Sequence, residues 1–197
     1  FISQQEDAGV TETYLNSSQG VVDGLELYRP FTALFLHGDF EHLLGNVVFG
    51  VIFFLLVSNS FGPLRGWVLV MLSGFLGNTL NAVIHYPDVF RSLGASTAVF
   101  GALGLLVGTG LDVAWRERSY RRGLQAFVPL LAGLMLFSIH GIGGPGTDVM
   151  AHLLGLFFGV ALGFPASRYE WVISAWGVRM REGLRRLIRG ADPRASL

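Results

Sequence analysis

Three apolar stretches of this chain begin with groups able to move protons and electron pairs. His42 and Asn46 stand four residues apart, on one face of a helix, with His37 just upstream; Ser96 follows Gly94 and precedes Phe100 by one turn; His152 is followed by Gly155, Gly159 and Gly163. A polar or ionisable group inside an apolar helix is costly, so each asks for a partner, a wet cavity or a function. A hydroxyl and an imidazole brought together form an activated nucleophile, the ring taking the hydroxyl proton, and Phe100 is spaced to pack on that ring. Acyl transfer also needs donors where a tetrahedral oxyanion develops. The candidates are the Asn46 amide, His42, and the backbone N–H of Ser96, which at a helix N-terminus lacks an intrahelical acceptor and lies at the positive end of the dipole. Gly94 would let backbone and substrate approach closely.

Those groups need long apolar helices to carry them. Of the 197 residues, 51% are hydrophobic and only 14% charged, against about 25% charged in a soluble domain. Five apolar stretches, at 40–57, 67–85, 95–111, 124–142 and 149–165, approach the roughly 20 residues that cross about 30 Å of hydrocarbon, the third and fifth being short for a full span. The reading is an all-α, polytopic membrane helix bundle with five visible spans. Breakers separate them, among them Gly62 and Pro63, Pro87 and Asp88, and 143–146. Gly101, Gly104 and Gly108 on the third stretch, with Gly155, Gly159 and Gly163 on the fifth, are the small residues that let two membrane helices close on each other, so these two are expected to cross tightly. That crossing would bring His152 to Ser96.

Charge sets the expected orientation. Acidic and basic residues balance at 14 each, which leaves no basic surface for nucleic acid, and the absence of cysteine removes disulfide and thiolate chemistry. Twelve of the fourteen arginines fall on one set of alternate connections, at Arg65, from Arg116 to Arg122, and from Arg168 to Arg194, which puts that side in the cytoplasm. Residues 1–39 then form an extracytoplasmic first loop, 40–165 the membrane core, and 166–197 a basic amphipathic tail on the cytoplasmic surface, where Trp171, Ile173, Trp176 and Leu184 interleave with arginines. An exported first segment needs a carrier, and a helix upstream of Phe1 is expected. The use of arginine to the exclusion of lysine hints at a GC-rich bacterial genome, and hence at a bacterial inner membrane.

Each group has a plainer reading. Ser96 alone suits a helix N-terminus, and His152, Asn46 and His42 alone suit interhelical hydrogen bonds. His37 reads as a structural residue near the surface, and His85 and His140 have no assigned role. Asp148, four residues before His152, reads as a cap for the last helix rather than a third catalytic member. The segment from Gly94 to Ala98 does not fit the G-x-S-x-G elbow, and no strand precedes it, so an α/β-hydrolase is excluded. His37, Asp39, Glu41 and His42 suggest a metal-handling alternative, weakened by their closeness in sequence.

Taken in order, His37-Gly-Asp-Phe-Glu-His42-Leu-Leu-Gly-Asn46, Gly94-Ala-Ser96-Thr-Ala-Val-Phe100-Gly101 and Ala151-His152-Leu-Leu-Gly155 resemble the rhomboid intramembrane serine proteases, over residues from about Tyr28 to Pro165. The resemblance implies a core of six helices, with the first outside this chain. It implies Ser96 as nucleophile, His152 as general base and acid, and His42, Asn46 and the Ser96 N–H as oxyanion donors. Gly94, Phe100 and Gly155 would support them. Substrates would be transmembrane segments of other proteins, met within the bilayer; no metal or organic cofactor is implied. The family's first-loop Trp-Arg pair stands here as Tyr28-Arg29. A rhomboid-like protein that binds clients without cleaving them is the alternative, and should lack the serine or the histidine.

Overall fold

The computed structural model describes residues 4–129, 131 and 148–190, with side-chain detail except at 4–8, 172 and 174–190. Most of the fourth apolar stretch and His140 lie outside that description, as do the side chains of the arginines from Arg179 onward. Among the described residues four helices are long and apolar enough to cross a membrane: Phe40–Phe61, Pro63–His85, Ser96–Glu117 and Val149–Trp171. Before the first come α1 (Gln4–Tyr14), α2 (Ser18–Val22), α3 (Arg29–Thr32) and a 3-10 turn at Ala33–Phe35. The spans are α4 (Phe40–Phe61), α5 (Pro63–His85), α6 (Ser96–Glu117) and the front of α8 (Val149–Gly190), with the short α7 (Tyr120–Gln125) after α6.

Local chemistry sets the ends. Asp39 accepts from the His42 N–H at 2.7 Å and so caps α4. Gly62, at φ 76°, is the single residue between α4 and α5, and Pro63 opens α5 where its missing N–H costs nothing. The third and fifth spans are longer than their apolar runs. Helix α6 continues past Leu111 through Asp112 to Glu117, and α8 runs through Pro165 without ending, so the core and the tail share one 42-residue helix. Membrane helices tolerate proline where neighbours cover the freed carbonyl.

Helix α6 is the centre of the bundle: 67% of its spanning window is buried, against 22–39% for the other three. Phe49, Phe53 and Val57 of α4 join Val99, Leu103 and Leu105 of α6 in the apolar core. The other contacts depend on glycine. A methyl group at Gly155 would overlap the Thr97 carbonyl oxygen, one at Gly159 the Gly101 carbonyl, and one at Gly163 would lie 2.6 Å from the Leu105 carbonyl. These pairs advance in equal steps of four on both helices. Helices α6 and α8 therefore run parallel with their backbones in contact, and Ser96 and His152, each near the start of its helix, arrive at the same end. Gly101 meets α8 through its backbone, at Gly159, while Ser73 of α5 takes the place of its missing side chain.

At the opposite end the ladder closes on a charge cluster. Asp112 of α6 is 0% exposed; it accepts from Arg116 Nε at 3.0 Å and Ser167 Oγ at 2.9 Å, and Arg168 Nε lies 2.9 Å away. Both guanidiniums stack over Trp171, at 5.3 and 5.9 Å from its ring centre. Removing the anion leaves two cations facing each other in a largely dry setting. Asp112→Ala is expected to destabilise the protein by about 3 kcal/mol or more, read as a fall in thermal unfolding temperature in detergent; an unchanged temperature would show the cluster to be idle.

Residues 1–39 were expected as a loop without a spanning period, and the described part holds short helices and turns, none of spanning length. It is fastened to α5 and to the segment before α6. Asn16 Nδ2 donates to the Asn78 carbonyl at 2.9 Å and Asn78 Nδ2 to the Pro30 carbonyl at 3.0 Å. Ser18 Oγ donates to the Asp88 carbonyl at 2.6 Å, and Asn16–Ser17 pairs antiparallel with Arg91–Ser92. Arg29 donates to the Glu12 carbonyl at 2.8 Å and pairs with Glu26, which ties the segment's short helices to one another.

Candidate active site

The segment before α6 delivers Ser96 through an unusual backbone conformation. Gly94 has φ 127°, a conformation open to glycine and little else, and its N–H donates to the Ala33 carbonyl at 2.9 Å. The chain then turns into α6 with Ser96 as its first residue, so the Ser96 N–H lies in the first turn, where no intrahelical acceptor exists. Helix α8 starts under the Asp148 carboxylate, which accepts from the Ala151 N–H at 2.9 Å and from Asn81 Nδ2 at 2.6 Å. Asp148 is thus a cap, tied also to α5. One turn later comes His152, 8% exposed.

The two side chains meet. His152 Nε2 lies 2.8 Å from Ser96 Oγ, and the imidazole is stacked on Phe100 with ring centres 4.5 Å apart and planes 13° from parallel. That stack fixes the ring's plane while its edge meets the hydroxyl. In the neutral tautomer carrying hydrogen on Nδ1, Nε2 accepts the Ser96 O–H and is placed to take its proton. Gly155 sits against Thr97, and Gly77 of α5 against both, its added methyl falling 2.8 Å from Thr97 Cγ2 and 3.0 Å from the Gly155 nitrogen. Three helices thus hold the pair by backbone contact.

His42 and Asn46 come to the same place from α4. A methyl on Gly94 would stand 2.8 Å from His42 Nε2 and 3.7 Å from Ser96 Oγ, so imidazole and hydroxyl flank one small space above Gly94. Asn46 is 6% exposed, and its Nδ2 has no hydrogen-bond acceptor among the described residues. A buried amide donor left unpaired costs about 1–3 kcal/mol, so such a group asks for a partner that arrives later. All eight residues singled out by the sequence, Ser96, His152, His42, Asn46, Gly94, Phe100, Gly155 and, beside them, His37, belong to this one end of the bundle.

His37 packs edge-on against His42 with ring centres 5.2 Å apart. Burial lowers its pKa below the ordinary 6.5, and a positive His42 would lower it further. The unfolded chain therefore binds this proton more readily than the folded one. Stability is complete above about pH 6.5 and falls as pH drops toward the folded-state pKa. The unfolding temperature should drop as pH falls below about 6.5, and drop less in His37→Gln; equal drops would assign the effect elsewhere. Asp39 is turned to its capping bond, and among the described residues no three His, Asp or Glu side chains converge as metal ligands do.

Some residues that matter here escaped the sequence reading. Asn78 and Asn81 hold the first segment and Asp148; the available signal was two amides three apart inside an apolar stretch, each needing a partner. Asp112 was cut off because its apolar run stops at Leu111. His85 stacks on Phe90 with ring centres 4.0 Å apart and donates from Nδ1 to the Asn81 carbonyl oxygen at 2.9 Å, a structural place.

Comparison with known proteins bears on the whole arrangement. A family model described as the Rhomboid domain matches residues 24–169. "RHOMBOID-like protein 6, mitochondrial" of Arabidopsis thaliana is 34% identical over 170 residues, covering 82% of this chain and 53% of its own. "Rhomboid-like protease 3" of Toxoplasma gondii is 34% identical over 139 residues, 70% of this chain and 51% of its own. "Rhomboid-like protease 1" of the same organism is 28% identical over 138 residues, 70% of this chain and 46% of its own. The chain thus spans about half the length of these relatives. Both organisms are eukaryotes, so the bacterial membrane expected from arginine usage finds no support among them. The four apolar helices of spanning length among the described residues make this a multi-pass integral membrane protein. With the family model covering most of the sequence and relatives above 30% identity aligned over more than two thirds of it, the chain belongs to the rhomboid family.

Proposed function

We propose that this protein is an intramembrane serine endopeptidase that cleaves transmembrane segments of other membrane proteins through a Ser96–His152 dyad. The observation that carries the reading is the 2.8 Å contact between His152 Nε2 and Ser96 Oγ, with the ring held by Phe100. Two of the relatives above are named proteases.

In this mechanism Ser96 Oγ attacks the scissile carbonyl carbon while its proton passes to His152 Nε2. The carbonyl oxygen becomes an oxyanion, met by Asn46 Nδ2, His42 and the Ser96 N–H. The C–N bond then breaks, the imidazolium gives its proton to the leaving amine, and an acyl-enzyme remains on Ser96. Water, deprotonated by His152, attacks that ester, and collapse of the second intermediate returns the proton to Ser96. Gly94 leaves room for the substrate backbone. We take residues 1–39 as the extracytoplasmic first loop, 40–165 as the catalytic core and 166–197 as a cytoplasmic tail, so that the dyad opens to the extracytoplasmic side.

The test is reconstitution in vesicles with a panel of single-span proteins carrying helix-weakening residues near one end. Wild type should yield two fragments from at least one of them and Ser96→Ala none. Fragments formed equally by Ser96→Ala would overturn the reading in favour of a contaminating protease, and tight binding of clients by wild type without any fragment would favour the client-binding alternative.

A further inference from the structure

Helix α5 grips α8 on both sides of His152. Gly155, which follows the histidine, lies against Gly77: a methyl at Gly77 would stand 3.0 Å from the Gly155 nitrogen and 2.8 Å from Thr97 Cγ2. Asp148, which precedes it, is held by Asn81, whose Nδ2 donates to the carboxylate Oδ2 at 2.6 Å. The first contact is backbone against backbone, and the second is a polar bond inside an apolar bundle. Asn81 is 0% exposed, and its own carbonyl accepts from His85 Nδ1 at 2.9 Å, so the amide is fixed at its root as well as at its tip.

The two contacts do different things. Glycine surfaces set how close α8 comes to its neighbours, but they offer no side-chain ridge to interlock and so resist rotation of the helix weakly. Rotation matters to the dyad. A ring nitrogen roughly 6 Å from the helix axis moves about 1 Å for each 10° of turn, and a misplacement of that size can cost about 10²-fold in rate. Asp148 supplies the missing constraint: Oδ1 accepts from the Ala151 N–H at 2.9 Å, inside the first turn of α8, while Oδ2 is held from α5. Charge-assisted bonds of this kind are short and directional. We propose that Asn81 is a positioning residue for the general base, fixing through Asp148 the angle at which α8 begins and so aiming His152 at Ser96. This rests on the Ser96–His152 reading and adds a residue that touches neither member of the pair.

The experiment follows phosphonylation of Ser96 by a fluorophosphonate over a range of reagent concentrations, on the full chain in detergent, below the unfolding temperature measured for each variant. Asn81→Ala should lower the saturating rate by about 10- to 100-fold and leave the half-saturating concentration unchanged, because reagent still binds while the proton acceptor is misaimed. Asp148→Asn should lower it likewise, since its amide then faces the Asn81 amide, and it serves where Asn81→Ala does not fold. Exchanging the pair, Asn81→Asp with Asp148→Asn, restores one donor and one acceptor and keeps an oxygen for the Ala151 N–H. The rate should return to within about threefold of wild type. Wild-type rates in Asn81→Ala or Asp148→Asn, a loss confined to the half-saturating concentration, or an exchanged pair as slow as the single variants would each overturn the proposal while leaving the dyad standing. A wild type that is not modified on Ser96 would overturn the dyad, and this proposal with it.

Discussion

Replacing Ser96 or His152 with alanine is expected to lower turnover by about 10⁴–10⁶-fold, and replacing both by no more than replacing one. The reason is that in the proposed mechanism the two act as a unit. The hydroxyl is a weak nucleophile unless the ring takes its proton, and the ring has nothing to activate without the hydroxyl. Their contact at 2.8 Å depends on α6 and α8 starting at the same level, which the glycine ladder enforces. Ser96→Ala should leave the fold intact, because it removes one oxygen from a first helical turn. His152→Ala empties the space against Phe100, so its unfolding temperature should be measured beside its rate. Losses that multiply in the double variant would mean that the residues act separately, contrary to the dyad.

The second large effect is at Asn46. Asn46→Ala is expected to cut kcat by about 10²–10³-fold while changing KM little, since the amide would bond an oxygen that carries full charge only in the transition state. The structure motivates this through the buried Nδ2, which has no acceptor among the described residues. Such a donor is ready before substrate arrives, and so requires no rearrangement when charge develops. Binding of an uncleaved substrate, measured in the Ser96→Ala background, should be the same with Asn46 or alanine. If binding weakened as much as turnover, Asn46 would be a substrate-holding residue and the oxyanion role would fail.

The candidate site was legible because a membrane makes polar residues conspicuous. Ser96, His152, His42 and Asn46 stood out against apolar surroundings, and the glycines at steps of four told which helices would touch. What stayed hidden depended on partners from distant sequence. Asp112 reads as the end of an apolar run, yet α6 continues through it because Arg116, Arg168 and Ser167 satisfy its carboxylate. Gly101 reads as part of the stripe facing α8 and does meet Gly159 there, but the serine on α5 that packs into its missing side chain is not visible in the stripe. Pro165 reads as a stop, though α8 passes through it. The first segment shows no helical period because its short elements are fixed by side chains such as Asn16 and Asn78 rather than by an amphipathic face.

A reactive-group assay tests the dyad itself, free of any question of substrate. Wild-type protein in detergent is treated with a fluorophosphonate, digested, and its modified residue located by mass spectrometry. The account predicts one phosphonylated hydroxyl, on Ser96, and its loss in His152→Ala despite an unchanged serine. An adduct on another serine, or one on Ser96 that forms as fast without His152, would contradict it.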